Sequence, residues 1–261
     1  MKEKLYRSLV ELTNGKTSSR VLKTVAASKM SKSFIRSYSK VYRINTEEVS
    51  TPIESFSSLH EFFTRTLKNG VRPIDQSRNV YSSPVDAKVE SFGRITEDCM
   101  LMVKNKPYFV RDLLGGEENA AKYENGSYIV FYLSPADYHR IHSPVDGNVE
   151  RQYVLGQKSY PVNQLGLTYG KKPISHNYRL VTELTTKHNE QRIAFIKVGA
   201  MFVNSIQLTN KRDVWHKGEE VGYFSFGSTV VMLFEENAIT FTDNIVQGQM
   251  IRVGERFATM L

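Results

Sequence analysis

From about residue 80 onward the chain is punctuated too often to build long elements. Turn signals recur at Pro84, Gly93, Gly115-Gly116, Asn125-Gly126, Gly147, Gly166, Gly170 and Gly218. Between them lie short runs rich in β-branched and aromatic residues, at Tyr128 to Leu133, Arg179 to Leu184, Ile193 to Val198 and Thr229 to Phe234. Such runs bounded by Gly, Pro and Asn read as strands. No stretch supports a long alternating β-α-β series, and the pattern is that of a mostly β domain.

The first 70 residues follow a different period. Leu5, Leu9 and Leu12 sit three and four apart and end at Asn14-Gly15, a helix with a stop signal. A second helix fits Ser19 to Met30, and a third fits Lys32 to Tyr42 with Phe34, Ile35, Tyr38, Val41 and Tyr42. Ser57 or Ser58 caps a short helix that ends before Gly70. The expectation is an α+β chain, with a helical region over 1–70 and a mostly β domain over 71–261. Ser83-Pro84-Val85-Asp86 is echoed by Ser143-Pro144-Val145-Asp146, and Lys217-Gly218-Glu219 by Val253-Gly254-Glu255. Paired turns of this kind suggest, by analogy, a barrel-sandwich-like arrangement of the lipoyl-carrier type.

Charge separates the same two regions. Residues 1–43 hold eleven Lys or Arg against two Glu, a balance of +9. The other 218 residues hold 24 basic and 25 acidic residues, a balance of -1. A basic amphipathic end meets an anionic membrane surface, nucleic acid or an acidic partner. Its apolar stripes also suit packing on the rest of the chain. Aromatics are not interleaved with the basic residues in a strand-binding pattern, which disfavours nucleic acid. The longest apolar runs, Tyr128 to Leu133 and Val230 to Phe234, fall far short of the ~20 residues that span a bilayer. The N-terminus lacks the apolar core of a secretory signal. A single cysteine, Cys99, rules out an internal disulfide and suits a reducing compartment.

G-x-G-x-x-G, G-x-x-x-x-G-K-[ST], G-x-S-x-G and H-E-x-x-H are all absent. His139 and His142 stand three apart, but beside Pro144 they make a poor metal pair, and no metal is expected. Three stretches hold the parts of an activated nucleophile. They are Ser83 to Asp86, Tyr138 to Pro144, and Phe224 to Thr229. Asp, His and Ser can form a triad in any chain order. Asp86 lies in a Pro turn, His142 follows a β-rich run, and Ser228 heads an apolar strand after Gly227. Residue types alone leave each open to a plain structural role, as a turn carboxylate, a satisfied imidazole and a strand-end hydroxyl.

The combination resembles the bacterial phosphatidylserine decarboxylase family. The resemblance is carried by S-P-V-D at 83–86, Y-L-S-P-A-D-Y-H-R-I-H-S-P at 132–144, V-G-A at 198–200 with Asn204-Ser205-Ile206, and G-Y-F-S-F-G-S-T at 222–229. It runs from about residue 5 to the end. Many members carry Leu or Val before Gly-Ser-Thr where this chain has Phe226, a change that leaves the reacting atoms alone.

The resemblance implies a proenzyme that cuts itself between Gly227 and Ser228. The products are a large chain of residues 1–227 and a small chain, 228–261, of 34 residues, which stay associated. Asp86, His142 and Ser228 are implied as the charge relay. Ser228 becomes a covalent pyruvoyl group, the cofactor, which forms a Schiff base with the substrate amine and takes up the electrons left by CO2. His139 is implied as a candidate for contact with the substrate carboxylate or for proton transfer. The substrate is phosphatidylserine in an anionic membrane surface and the product phosphatidylethanolamine. The enzyme is expected at the cell membrane, peripheral, on the cytoplasmic side, and a homo-oligomer is possible. Asn163 and Ser205 are candidates for the head-group phosphate. Two other readings of the same residues are a Ser-His-Asp lipid-ester hydrolase that leaves the backbone whole and a non-enzymatic membrane-binding module.

Overall fold

The computed structural model describes residues 24–162, 164–169, 172–200, 206–225 and 227–261. Among them the chain runs through sixteen strands. These are β1 (Val80–Ser82), β2 (Ala87–Arg94), β3 (Met100–Val103), β4 (Lys106–Phe109), β5 (Ser127–Leu133), β6 (Arg140–His142), β7 (Gly147–Leu155) and β8 (Arg179–Thr186). Then follow β9 (Arg192–Gly199), β10 (Ile206–Leu208), β11 (Val214–Trp215), β12 (Glu220–Phe224), β13 (Ser228–Phe234), β14 (Ile239–Phe241), β15 (Met250–Ile251) and β16 (Arg256–Met260).

Eight of these form an antiparallel sheet in the order β11-β7-β8-β9-β13-β5-β2-β15. Its inner strands are apolar without alternation because both faces are covered. Along β13, Val230, Met232 and Phe234 join one core cluster, and Val231 and Leu233 join the other. Strand β9 divides the same way, with Ile193 and Phe195 on one side and Ala194, Ile196 and Val198 on the other. The first face is covered by Tyr81, Phe257 and Ile239 from the sheet β1-β16-β14 and by Ile141, Val221 and Phe224 from the sheet β10-β12-β6. The second is covered by the β3-β4 hairpin and the short helices Val110–Leu114 and Pro173–His176.

The mostly β character expected from the sequence is present, and the barrel-like closure is not. The large sheet is open, with two-residue strands β11 and β15 at its edges. Layers packed on both faces bury its apolar residues, so the sheet has no need to curl onto itself.

The internal echo is a local two-fold relation. Ser83 Oγ donates to the Val85 carbonyl, and Ser143 Oγ to the Val145 carbonyl, both at 2.7 Å. The Gly254 amide donates to the Ser83 carbonyl at 3.0 Å, and the Gly218 amide to the Ser143 carbonyl at 2.8 Å. Gly218 and Gly254 have φ values of +76° and +88°, where only glycine is free of strain. A Cβ on either would come within 3.0 Å of the Ile74 side chain. The two turns also bond each other, since the His142 amide donates to the Pro84 carbonyl and the Ser82 amide to the Pro144 carbonyl. Asp86 and His142, far apart in sequence, thereby come to one place.

The first expected helix, at Leu5 to Leu12, and the start of the second lie outside the described residues. The third is seen as a 3-10 turn, Lys29–Phe34, running into the α-helix Ile35–Val41. The helix Leu59–Phe63 is capped as expected, with Ser58 Oγ accepting from the Glu61 amide at 3.2 Å. Ile35, Ile44, Val49, Phe56 and Phe62 make a small core that packs on Ala136. This fixes the N-terminal region against the Ser134–Tyr138 turn. No helix among the described residues is long and apolar enough to cross a membrane.

Candidate active site

Ser228 is the first residue of β13, deep in the large sheet. It pairs with Leu133 of β5 on one side and with Gly199 of β9 on the other. Its side chain is fully buried and its Oγ has no hydrogen-bond partner among the described residues. A buried hydroxyl left without a partner costs about 1–3 kcal/mol, so folding alone does not favour it. The preceding carbonyl, that of Gly227, accepts a hydrogen bond from the Ala200 amide at 2.9 Å. A Cβ on Gly227 would find its nearest neighbour 4.0 Å away, at Ala200 Cβ. Packing therefore does not demand glycine there. The missing side chain leaves the Gly227 carbonyl carbon open to approach.

His142 ends β6, which pairs with β12. Its Nδ1 lies 2.8 Å from the Gly218 carbonyl, and its Nε2 lies 3.3 Å from the Tyr138 hydroxyl. A carbonyl only accepts, so Nδ1 carries the hydrogen and the lone pair is at Nε2, where Tyr138 donates. Burial lowers the His142 pKa. The Gly218 bond and the charges of Glu220 and Asp86 oppose that fall.

Asp86 closes its Pro turn just before β2. Arg72 donates to it from Nε at 2.9 and 3.0 Å and from Nη2 at 2.6 Å. The Val253 amide donates to Oδ1 at 2.9 Å. The matching residue of the echo, Asp146, accepts from the Lys217 amide at 3.1 Å, so the carboxylate-to-amide bond belongs to the turn. The Arg72 fork is particular to Asp86. Arg72 Nη2 also donates to Glu48 at 2.8 Å. Burial opposes the guanidinium charge, but the hydrogen bonds that Arg72 donates to Asp86 and Glu48, with the charges of those carboxylates, prevail and hold Arg72 above its ordinary pKa.

His139 is completely buried, and its ring lies 4.0 Å from that of Phe63. Its Nδ1–H donates to the Asp137 carbonyl at 2.8 Å, while Nε2 is buried with no partner among the described residues. Burial, with the Arg65 charge second, lowers its pKa to about 3. The His139 carbonyl accepts from the Phe224 amide at 2.9 Å, which ties this residue to the strand leading to Gly227.

The fold brings Asp86 and His142 together through the Pro84 carbonyl and through charge. No hydrogen bond joins Asp86, His142 and Ser228 to one another. The group that orients His142 is the Gly218 carbonyl, where the sequence suggested Asp86. Asn163, Asn204, Ser205 and Phe226 lie outside the described residues. Sequence reasoning missed Arg72, Tyr138, Gly218 and the Ala200 amide. Tyr138 had a signal, being four residues before His142; a backbone amide and a carbonyl have none. The two histidine rings engage different partners. No group of three or more His, Cys, Asp or Glu able to hold a metal ion occurs among the described residues.

Comparison with known proteins gives the family of the chain. A family model described as phosphatidylserine decarboxylase matches residues 59–259. The chain is 49% identical over 256 residues to the phosphatidylserine decarboxylase proenzyme of Geobacillus kaustophilus, covering 98% of this chain and 96% of that protein. It is 51% identical over 252 residues to the protein of the same name from Anoxybacillus flavithermus, covering 97% and 94%. A Bacillus cereus protein of that name is 48% identical over 261 residues, covering 100% and 99%.

Proposed function

The chain belongs to the phosphatidylserine decarboxylase family and is a carboxy-lyase, and on that premise we propose that it generates its own pyruvoyl group by cutting the Gly227–Ser228 bond. The observation that carries this reading is the buried, unpartnered Ser228 Oγ beside a carbonyl already held by an amide donor. His142 Nε2 takes the Ser228 hydroxyl proton, and the oxygen attacks the Gly227 carbonyl carbon. Negative charge gathers on the Gly227 oxygen, where the Ala200 N–H already points. The C–N bond breaks and an ester replaces the amide. Loss of the Ser228 α-proton expels the Gly227 carboxylate and leaves dehydroalanine. One water then replaces the nitrogen, which leaves as ammonia.

The site suits such a group. Residue 228 stands between β5 and β9, paired with Leu133 and Gly199, which fix its place in the sheet. The pyruvoyl ketone supplies an electron sink for the loss of CO2 from an amine-linked substrate. The protein's share is orientation and proton handling. With its Nδ1–H fixed on Asp137, His139 offers only a lone pair at Nε2. That nitrogen can accept from the substrate's ammonium; it cannot donate to the carboxylate. Burial lowers the His142 pKa, but the Gly218 bond and the charges of Glu220 and Asp86 oppose that fall, and His142 is the better group to return a proton to the product.

The same premise gives a role to the N-terminal region. Met30, Phe34 and Val41 are 83%, 61% and 74% exposed, and Lys29, Lys32 and Lys40 are exposed among them. Apolar groups entering the interface with cations at the phosphates would hold the enzyme to an anionic membrane as a peripheral protein. The two cleaved chains stay joined because β13, in the small chain, is paired on both sides by strands of the large one. Replacing Ser228 with Ala tests the whole reading. The variant should remain one chain and release no CO2 from phosphatidylserine. Retained decarboxylation would refute the origin of the group in Ser228.

A further inference from the structure

Beside the Asp86–His142 pair lies a cavity of about 260 Å³ whose lining includes Asp86, Tyr138 and four arginines, Arg43, Arg65, Arg72 and Arg252. Tyr138 is the residue whose hydroxyl meets His142 Nε2, so the cavity adjoins the groups that handle protons. We infer that this cavity receives the phosphodiester of the phosphatidylserine head group, held chiefly by the guanidinium groups of Arg43 and Arg252. The inference rests on the decarboxylase reading above and adds the residues that recognise the substrate.

The arginines are not equivalent. Arg72 is committed to Asp86 and Glu48. Arg65 is buried, donates to the Ala136 and Asp137 carbonyls at 2.7 and 3.0 Å, and leaves its Nε buried without a partner. No carboxylate forms an ion pair with it among the described residues. Arg252 reaches Glu48 only at 3.7 Å and is 60% exposed. Arg43 makes no side-chain hydrogen bond or ion pair with the described residues. Against four guanidinium groups the lining places three carboxyls, Glu48, Asp86 and Asp137, and Glu48 and Asp86 are already engaged by Arg72. The cavity thus keeps positive charge that the protein does not neutralise. A tetrahedral phosphate oxygen pair suits such donors.

The phosphodiester fits better than the other anion of the head group. The carboxylate must leave as neutral CO2. A guanidinium holding it would stabilise the ground state more than the transition state and slow the reaction. The phosphodiester keeps its charge throughout, so binding it lowers KM and leaves the chemical step unburdened. The position agrees as well. Arg43 follows directly on Val41 and Tyr42, the exposed apolar residues at the end of the N-terminal helix. Residues proposed to enter the lipid interface therefore lead straight to the cavity rim.

The test uses full-length, self-processed enzyme and the variants Arg43→Gln and Arg252→Gln, both at exposed side chains. Two probes are compared, dihexanoyl phosphatidylserine and O-hexanoyl serine, which has the amine and carboxylate but no phosphate. Each variant should raise KM for the phospholipid about tenfold and leave kcat within about twofold. Turnover of the O-acyl serine should be unchanged, and so should cleavage into two chains. An unchanged KM for the phospholipid would overturn the assignment. So would an equal loss on both probes, which would place the arginines on the carboxylate or in the general structure. A wild-type chain that never divides or never releases CO2 would instead refute the underlying decarboxylase reading.

Discussion

Replacing Arg72 with Met should cost the protein about 3 kcal/mol of stability. The pair it forms with Asp86 is largely out of solvent, the two side chains being 12% and 9% exposed. Three donor–acceptor contacts of 2.6 to 3.0 Å join them. Removing one partner of a buried ion pair typically costs about 3–5 kcal/mol, because the other charge stays buried and unmatched. The Val253 amide remains on Asp86 Oδ1, and Arg252 remains near Glu48, which places the loss at the low end. For a chain of this size each kcal/mol moves Tm by about 2–4 °C, so Tm should fall by roughly 6–12 °C. The assay is thermal and urea unfolding of the uncut Ser228→Ala chain, which keeps a single polypeptide throughout. The double change Arg72→Met with Asp86→Leu should recover most of the loss, since no unmatched charge is left. A single-variant loss below about 1 kcal/mol would match an exposed pair and refute the argument, as would a double variant no more stable than the single. In the self-cleaving chain, Arg72→Met should also unmask Asp86 toward His142. The pH midpoint of the cleavage rate should then rise, and a fixed midpoint would separate Asp86 from His142 electrostatically.

Acid should weaken the fold through its buried imidazoles. The folded His139 pKa, about 3, lies below the ordinary value near 6.5. Between those values the unfolded chain binds a proton that the native chain refuses. Stability is therefore whole above about pH 6.5 and falls toward pH 3, by about 1.4 kcal/mol per pH unit for one site. His142 is lowered by burial too and adds in the same direction. His139→Asn, which keeps a donor for the Asp137 carbonyl, should flatten the pH dependence between pH 4 and 6 in urea titrations; an unaltered slope would exclude His139 as its source. Replacing both Phe34 and Val41 with Asp should weaken sedimentation with anionic liposomes by more than tenfold while the chain still divides in two. Undiminished binding would move the docking face elsewhere.

Much of the β framework could be read from the sequence, for a physical reason. Strands such as β9 and β13 are apolar on both faces and stand out as unbroken runs. The edge strands β11 and β15 are two residues long and carry no pattern of their own. The Ser83-Pro84 and Ser143-Pro144 echo was visible as text. It could not show that the two turns bond each other, nor that layers on both faces replace barrel closure. Ser228, His142 and Asp86 were legible as residue types. Their environment was not, because it depends on partners far along the chain. Arg72 lies 14 residues from Asp86, Val253 lies 167 from it, and Gly218 lies 76 from His142. The Ala200 amide has no side-chain signature at all. The four arginines of the cavity come from three separated segments, at 43, 65–72 and 252, and converge only in the fold.

The central claim is that the Gly227–Ser228 bond is cut by the protein itself. Denaturing mass spectrometry of the purified chain after incubation tests this most directly. The account predicts two species, residues 1–227 ending in a free carboxylate and a 34-residue chain, 228–261, whose first residue is a pyruvoyl group with no α-amine. A single species that persists at 29.9 kDa would contradict it.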